Sequence, residues 1–382
     1  MNQNILESVD YALKSRIESG QFRRLLIHEK NDKEILDFAS NDYLGLSQHP
    51  LLKSRAIQYL ERYGSGSGAA RLVTGTLDCY PDLEKKIAIL KNQESALILN
   101  SGYQANVSLL SSLIKKDTVI LADKLCHNSL LMGAKLGGGR LIRYRHNDYQ
   151  HLDQLLSKLD IGRPVIIVTE SVFGMDGDCA DLARLVELKK QYNAFLYVDE
   201  AHATGVFGKQ GGGLSPETKG IDVVMGTFGK ALGSFGAYVA CSQKLKDYFI
   251  NCCGGFIYST ALPPPVLGSI DAALDLLPSF DIVRNQLQDR AALLRGQLRK
   301  IDFDCGLSET HIIPLIVGQE EKALALSRYL QDHKILAIAI RPPTVALSHS
   351  RVRLALSAYH SEEDLKVLID ILKKYNPDVH TI

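Results

Sequence analysis

Apolar residues gather in short runs at 96–99, 119–122, 165–169, 195–198, 223–225 and 237–240. Each run is nearly continuous, rich in Val, Ile, Leu and Ala, and too short for a helix, which is the pattern of strands buried on both faces. Helix-like segments separate them, so the pattern predicts a mainly parallel sheet with helices on both faces. Ahead of the first run, Ile5, Val9, Leu13 and Ile17 recur at helical spacing and predict a helical arm over 4–24 that ends in Arg23-Arg24. After Ala261-Leu262-Pro263-Pro264-Pro265 the pattern changes to a long helical stretch over 266–299, marked off by the prolines. Strands are then expected at 312–317, 336–340 and 352–356, with helices at 320–331 and 362–374. The expected organisation is an N-terminal arm over 1–40, a large domain over 41–265, and a linking helix with a small α+β domain over 266–382. No internal repeat or low-complexity tract interrupts it.

Composition narrows the class. A chain of 382 residues is long for one core. With Lys+Arg 44 against Asp+Glu 43, the formal charge of +1 gives no reason to expect a nucleic-acid or membrane partner. The seven cysteines are odd in number and form no C-x-x-C pair, so they read as reduced thiols and not as a metal site. The N-terminus lacks a basic and apolar leader, and no segment is apolar for the eighteen or so residues of a membrane span. A cytoplasmic protein is expected.

The chemistry concentrates at strand ends. Asp222-Val223-Val224-Met225-Gly226-Thr227-Phe228-Gly229-Lys230 places one amine after a buried strand, among glycines and a hydroxyl. The strand at 195–198 ends in Asp199-Glu200-Ala201-His202, so an acid, an imidazole and an amine converge on the edge where open α/β sheets bind cofactors. A surface lysine is the ordinary alternative. Gly226, Gly229 and Gly233 argue against it, because they permit close backbone approach. A desolvated lysine can condense with an aldehyde, and pyridoxal phosphate combines a lysine linkage with an acid partner for its ring nitrogen. Asp199 would be that acid; a structural capping role is the alternative. Asn100-Ser101-Gly102-Tyr103 follows a strand and opens a helix, so the amides of Gly102 and Tyr103, with Thr227, are candidate phosphate ligands.

Two other motifs fail on inspection. Asp199-Glu200-Ala201-His202 also spells a helicase DEAH box, but neither Gly229-Lys230 nor Gly208-Lys209 completes a phosphate loop, since Val224 and Ala203 stand at the first-glycine positions. The glycines of Gly64-Ser65-Gly66-Ser67-Gly68 mimic a dinucleotide fingerprint but follow no adequate strand, and read instead as a flexible loop near substrate.

Ser40-Asn41-Asp42-Tyr43-Leu44-Gly45-Leu46, the run from Gly64 to Thr76, and Thr227-Phe228-Gly229-Lys230 together resemble the α-oxoamine synthases, a pyridoxal-phosphate family, over almost the whole chain. The resemblance implies an α/β fold-type I transferase acting as a homodimer. Ala339-Ile340-Arg341-Pro342-Pro343-Thr344-Val345 looks most like the member that joins a pimeloyl thioester of coenzyme A or acyl carrier protein to L-alanine in biotin synthesis. Glycine C-acetyltransferase, 5-aminolevulinate synthase, serine palmitoyltransferase-like members and a non-catalytic pseudoenzyme subunit are the alternatives. By resemblance, Lys230 carries the cofactor, His127 stacks on its ring and shapes the substrate pocket, and His202 contacts the ring 3-oxygen. Ser259 and Thr260 reach the phosphate from the neighbouring subunit. Asn41 and Arg353 meet the amino acid, with Arg353 clamping its carboxylate. Arg23 and Thr344 contact the acyl thioester or product, with Arg24 a competitor for Arg23. The sequence departs from the family at Gly174, where relatives often have serine, leaving at most a backbone contact to the cofactor, and at 346–350, which replaces a Pro-x-Gly turn.

Overall fold

Helical spacing at the N-terminus gives α1 (Gln3–Glu18), followed by a two-residue strand, β1 (Leu36–Asp37). Two helices, α2 (Pro50–Tyr63) and α3 (Tyr80–Leu90), then lead into the sheet region. There β2 (Ser95–Leu99), α4 (Gly102–Leu113), β3 (Val119–Asp123), α5 (Asn128–Leu136), β4 (Arg140–Tyr144), α6 (Tyr149–Leu156), β5 (Val165–Glu170), α7 (Leu182–Tyr192), β6 (Phe195–Asp199), β7 (Val223–Thr227) and β8 (Ala237–Cys241) succeed one another. The computed structural model describes residues 3–25, 27 and 34–376. The chain divides into two units, one of residues 41–174 and 178–287, the other of 1–40, 175–177 and 288–382.

In the large unit the seven strands lie in the order β2-β8-β7-β6-β5-β3-β4, parallel except for β8, which runs antiparallel to both β2 and β7. The expected fold-type I arrangement, a mainly parallel central sheet with helices, is what the chain forms. Leu97, Ile120, Val168, Tyr197, Val223 and Val239 pack with Leu109 of α4 and Leu130 of α5 into one buried apolar core. Because the central strands are parallel, their carboxyl ends share one edge. There Asp123, Glu170 and Asp199 end β3, β5 and β6, with Glu170 in register with Asp199. The large unit continues through α8 (Gln243–Cys252), α9 (Gly254–Ile257) and α10 (Pro264–Leu276) to the start of α11 (Asp281–Lys300). The unbroken helix expected over 266–299 is thus two helices. A tight turn over Leu277–Phe280 separates them, and Pro278 within it supplies no backbone N–H. The division between units falls after Leu287, within α11.

The second unit holds β9 (Ile312–Gly318), α12 (Glu320–Asp332), β10 (Ile335–Leu336), β11 (Ile338–Ile340), β12 (Ser350–Ala355) and α13 (Glu362–Leu372). Strands β11, β12 and β9 form an antiparallel sheet in that order, and β1 joins β10 in parallel. Phe38, after β1, stacks on His360 with ring centres 4.0 Å apart.

Candidate active site

Lys230 follows β7 in a turn shaped by its glycines. A Cβ at Gly226 would lie 2.1 Å from the Tyr238 hydroxyl, and Gly233, at φ 63°, would bring one within 2.2 Å of the Ser47 nitrogen. The half-buried Lys230 presents Nζ 2.7 Å from Nε2 of His202, three residues past the end of β6. The other ring nitrogen of His202, Nδ1, is 2.7 Å from the Tyr43 hydroxyl, which donates to Oδ1 of Asn41 at 2.9 Å.

Asp199 is buried at the end of β6. Its Oδ2 accepts from Asn106 Nδ2 at 2.7 Å and its Oδ1 from the Ala201 amide at 2.8 Å. Asn106 is itself fixed by Tyr197, whose hydroxyl donates to its Oδ1 at 2.9 Å. A buried carboxylate is tolerated when hydrogen-bonded in this way. The adjacent Glu200 serves another cluster: its Oε2 lies 2.8 Å from Nζ of Lys91, both side chains are fully buried, and Leu214, Ser215, Thr204 and Gly212 complete the hydrogen bonding. Burial, the largest single influence, disfavours the charge on Lys91, but Glu200 and Tyr238 together outweigh it and raise the lysine above its ordinary value.

His127 caps the N-terminus of α5. Its Nδ1 accepts from the Ser129 amide at 3.3 Å and lies 2.7 Å from the Ser129 hydroxyl, so the neutral ring carries its proton on Nε2. Burial first, and then the charge of Lys230, hold its pKa low, against Asp199. Glu170 accepts from the His127 amide at 2.6 Å. Burial, reinforced by the charge of Asp199, pushes Glu170 up to about 8, although Lys230 and the amides of His127 and Gly174 pull the other way.

Gly102 and Tyr103 begin α4 after the Ser101 cap, so their amides have no acceptor within the helix. A Cβ on Gly102 would meet the Thr227 Cβ at 3.8 Å, which places Thr227 beside this helix start. Within the same chain, Gln104 donates to both the Gly255 carbonyl, at 2.9 Å, and the Ser259 hydroxyl, while Asn100 donates to the Thr260 carbonyl at 2.6 Å. The Tyr103 ring meets His127 edge-on at 6.5 Å. An amine, a buried anion and helix-start amides beside a hydroxyl are what an aldehyde, a pyridine nitrogen and a phosphate require, so these residues fit pyridoxal phosphate.

Residues 33–372 match the aminotransferase class I and II family. The chain belongs to that family. Within the aminotransferase class I and II family the α-oxoamine synthase resemblance holds. The 8-amino-7-oxononanoate synthase of Gluconacetobacter diazotrophicus is 49% identical over 91% of this chain and 89% of the relative. The crystal structure of 8-amino-7-oxononanoate synthase from Francisella tularensis is 29% identical with a TM-score of 0.78, covering 90% of this chain and 98% of that one. Sphingomonas wittichii serine palmitoyltransferase is 27% identical with a TM-score of 0.85, covering 89% and 86%.

The second unit places the remaining expected residues. Arg23 donates through Nη2 to the Thr344 hydroxyl at 2.9 Å, whereas Arg24 lies over the Phe22 ring. Arg353 is buried on β12, opposite Ile338 and Pro314. Over 346–350 the chain turns through Ser348 at φ 61°, a left-handed conformation that a glycine would adopt without strain. Gly174 has its reason in the large unit: a Cβ there would stand 2.2 Å from His202 Nε2. Tyr43, Asn106, Ser129 and Glu170 join the site through these contacts, although no motif in the sequence assigns them a role. For Glu170 the signal was present, since three apolar runs each end in an acid.

Proposed function

We propose that this chain condenses L-alanine with a pimeloyl thioester, with loss of the thiol carrier and carbon dioxide, as the pyridoxal-phosphate-dependent 8-amino-7-oxononanoate synthase step of biotin biosynthesis. The observation that carries the cofactor assignment is the convergence of Lys230, His202 and Asp199 at one sheet edge. The 49% identity to a relative of that name supports the substrates. Lys230, Asp199, His202, Gly102, Tyr103 and Thr227 would hold the cofactor, with Gly174 contributing backbone, and Ser259 and Thr260 contributing to its phosphate across a homodimer. When bound, the cofactor supplies an electron sink for negative charge at the substrate Cα.

The protein's own work is binding and proton handling. Asp199 would keep a proton on the cofactor's ring nitrogen, and Asn106 and Ala201 fix its oxygens for that task. Lys230 removes the proton from the alanine Cα and later returns one. His127, held by Ser129, orients the amino acid. Asn41 and Arg353 bind its carboxylate, and Arg23 with Thr344 meets the acyl thioester, carried by coenzyme A or acyl carrier protein.

A homodimer is supported by apolar side chains left exposed on the single chain: Leu72, Val73, Phe235 and Tyr258, next to Ser259, in the large unit, and Ile5 and Ile17 along α1. A cytoplasmic location accords with the absence, among the described residues, of any helix long and apolar enough to cross a membrane.

Visible absorbance of the cofactor-loaded protein tests the reading. The band should respond best to L-alanine and change again on adding pimeloyl-coenzyme A. The likeness to serine palmitoyltransferase favours a second reading, with L-serine as the amino acid, and a band that responds to serine alone would support it. No band after adding cofactor would remove the catalytic assignment.

A further inference from the structure

Tyr43 is fully buried, yet its hydroxyl has no part in the functions assigned above. It donates to Oδ1 of Asn41 at 2.9 Å and also touches Nδ1 of His202 at 2.7 Å. A phenol carries one proton, and an amide oxygen can only accept. With that proton directed at Asn41, the contact to His202 requires the imidazole to donate from Nδ1. A neutral ring protonated at Nδ1 has its lone pair at Nε2. Nε2 is the atom that faces Lys230 Nζ at 2.7 Å.

We propose that Tyr43 and Asn41 are positioning residues that lock His202 in the Nδ1–H tautomer and so make its Nε2 the proton acceptor for Lys230. In this step an N–H bond of the Lys230 ammonium breaks, its electron pair stays on Nζ, and the proton bonds to Nε2. The resulting imidazolium keeps its Nδ1–H donated to the Tyr43 oxygen. The neutral amine is the form that attacks an aldehyde carbon. Gly174 leaves room for the ring in this position, since a Cβ there would stand 2.2 Å from Nε2. Its consequence for loading rests on the pyridoxal-phosphate reading, whereas the tautomer itself does not.

The test uses the full chain labelled with 15N-histidine, with His202→Gln to assign the ring signals, and in parallel the rate at which cofactor-stripped protein takes up pyridoxal phosphate. The wild type should show Nδ1 protonated and Nε2 unprotonated. Asn41→Leu removes the amide acceptor, so the Tyr43 proton turns toward Nδ1; the tautomer should invert and uptake slow by about 10- to 100-fold. Tyr43→Phe removes the hydroxyl with little change of shape, and should leave the ring a tautomer mixture with uptake slowed about tenfold. Gly174→Ser should displace the ring and slow uptake even with Tyr43 and Asn41 intact. A wild-type ring protonated at Nε2 and not at Nδ1, or unchanged uptake in both Asn41→Leu and Tyr43→Phe, would overturn the inference. The expected tautomer and rates in a protein that makes no amino ketone would uphold it and count against the substrate assignment alone.

Discussion

One tetrapeptide, Asp199-Glu200-Ala201-His202, holds two lysines in opposite ways. Glu200 receives Lys91 where neither side chain is exposed, and Thr204, Gly212, Leu214 and Ser215 satisfy the remaining donors and acceptors. His202 meets Lys230, which is half-buried and faces an imidazole nitrogen instead of a carboxylate. A lysine sealed against a carboxylate is held in its charged form and kept out of chemistry. A lysine facing a base can lose its proton and react. The difference lies in the partner, and strand-end geometry sends neighbouring residues to different partners.

Breaking each pair separates the two roles. Lys230→Ala should lower turnover roughly 10⁴-fold or more while leaving the urea midpoint close to wild type. Lys91→Met should do the reverse, costing about 3–5 kcal/mol in urea unfolding because Glu200 is left buried and unpaired. Adding Glu200→Leu to Lys91→Met should recover most of that loss; failure to recover would mean the ion pair is more than a structural plug.

A third buried pairing sharpens the contrast, because here an imidazole is the cation. His146 bridges Asp123, at 2.9 Å, and Asp178, at 2.7 Å. Burial opposes its charge, but the two carboxylates outweigh burial and raise it to about 10. The folded form therefore holds the proton more tightly than the unfolded chain. Its stabilisation is complete below the ordinary value of 6.5 and fades as the pH rises through 10. His146→Asn should cost about 2–3 kcal/mol at pH 6 and flatten the loss of stability between pH 7 and 10, as read by unfolding at each pH.

How much of this the sequence disclosed depends on how local the signal is. Lys230, Asp199 and His202 were legible because each follows an apolar run, and parallel strands bring such ends to one edge without further information. Strand β4 was not, since Arg140 and Arg143 break its apolar pattern at the sheet edge, where the strand is only partly buried. The break at Leu277–Phe280 was hidden because the apolar spacing continues across it, and only Pro278 marks the turn. The Lys91–Glu200 pair joins residues 109 positions apart, and nothing in either local pattern singles out the lysine. Gly174 showed as a departure from the family, but its reason is a contact with His202, which only the folded chain supplies.

Two smaller effects complete the series. Arg353→Ala should weaken alanine binding about 10- to 100-fold with cofactor affinity unchanged, in titrations of the loaded enzyme, if its guanidinium clamps the carboxylate. Glu170 is an acid with no lysine sealed against it, and burial holds it protonated until about pH 8. Its contribution to stability is full below 4.5 and lost as the pH rises through 8. Glu170→Gln, which mimics the protonated form, should match the wild type below about pH 4.5 and gain on it steadily between pH 4.5 and 8, with the difference level above that, as read by unfolding at each pH.

The most direct measurement is the stoichiometry of the condensation. Purified protein supplied with pyridoxal phosphate, L-alanine and pimeloyl-coenzyme A should release free thiol and carbon dioxide in equal amounts with 8-amino-7-oxononanoate, quantified by mass spectrometry. Loss of all three in Lys230→Ala but not in Lys91→Met with Glu200→Leu would tie the reaction to the lysine that faces His202. Equal loss in both, or product from glycine or serine with none from alanine, would contradict the account.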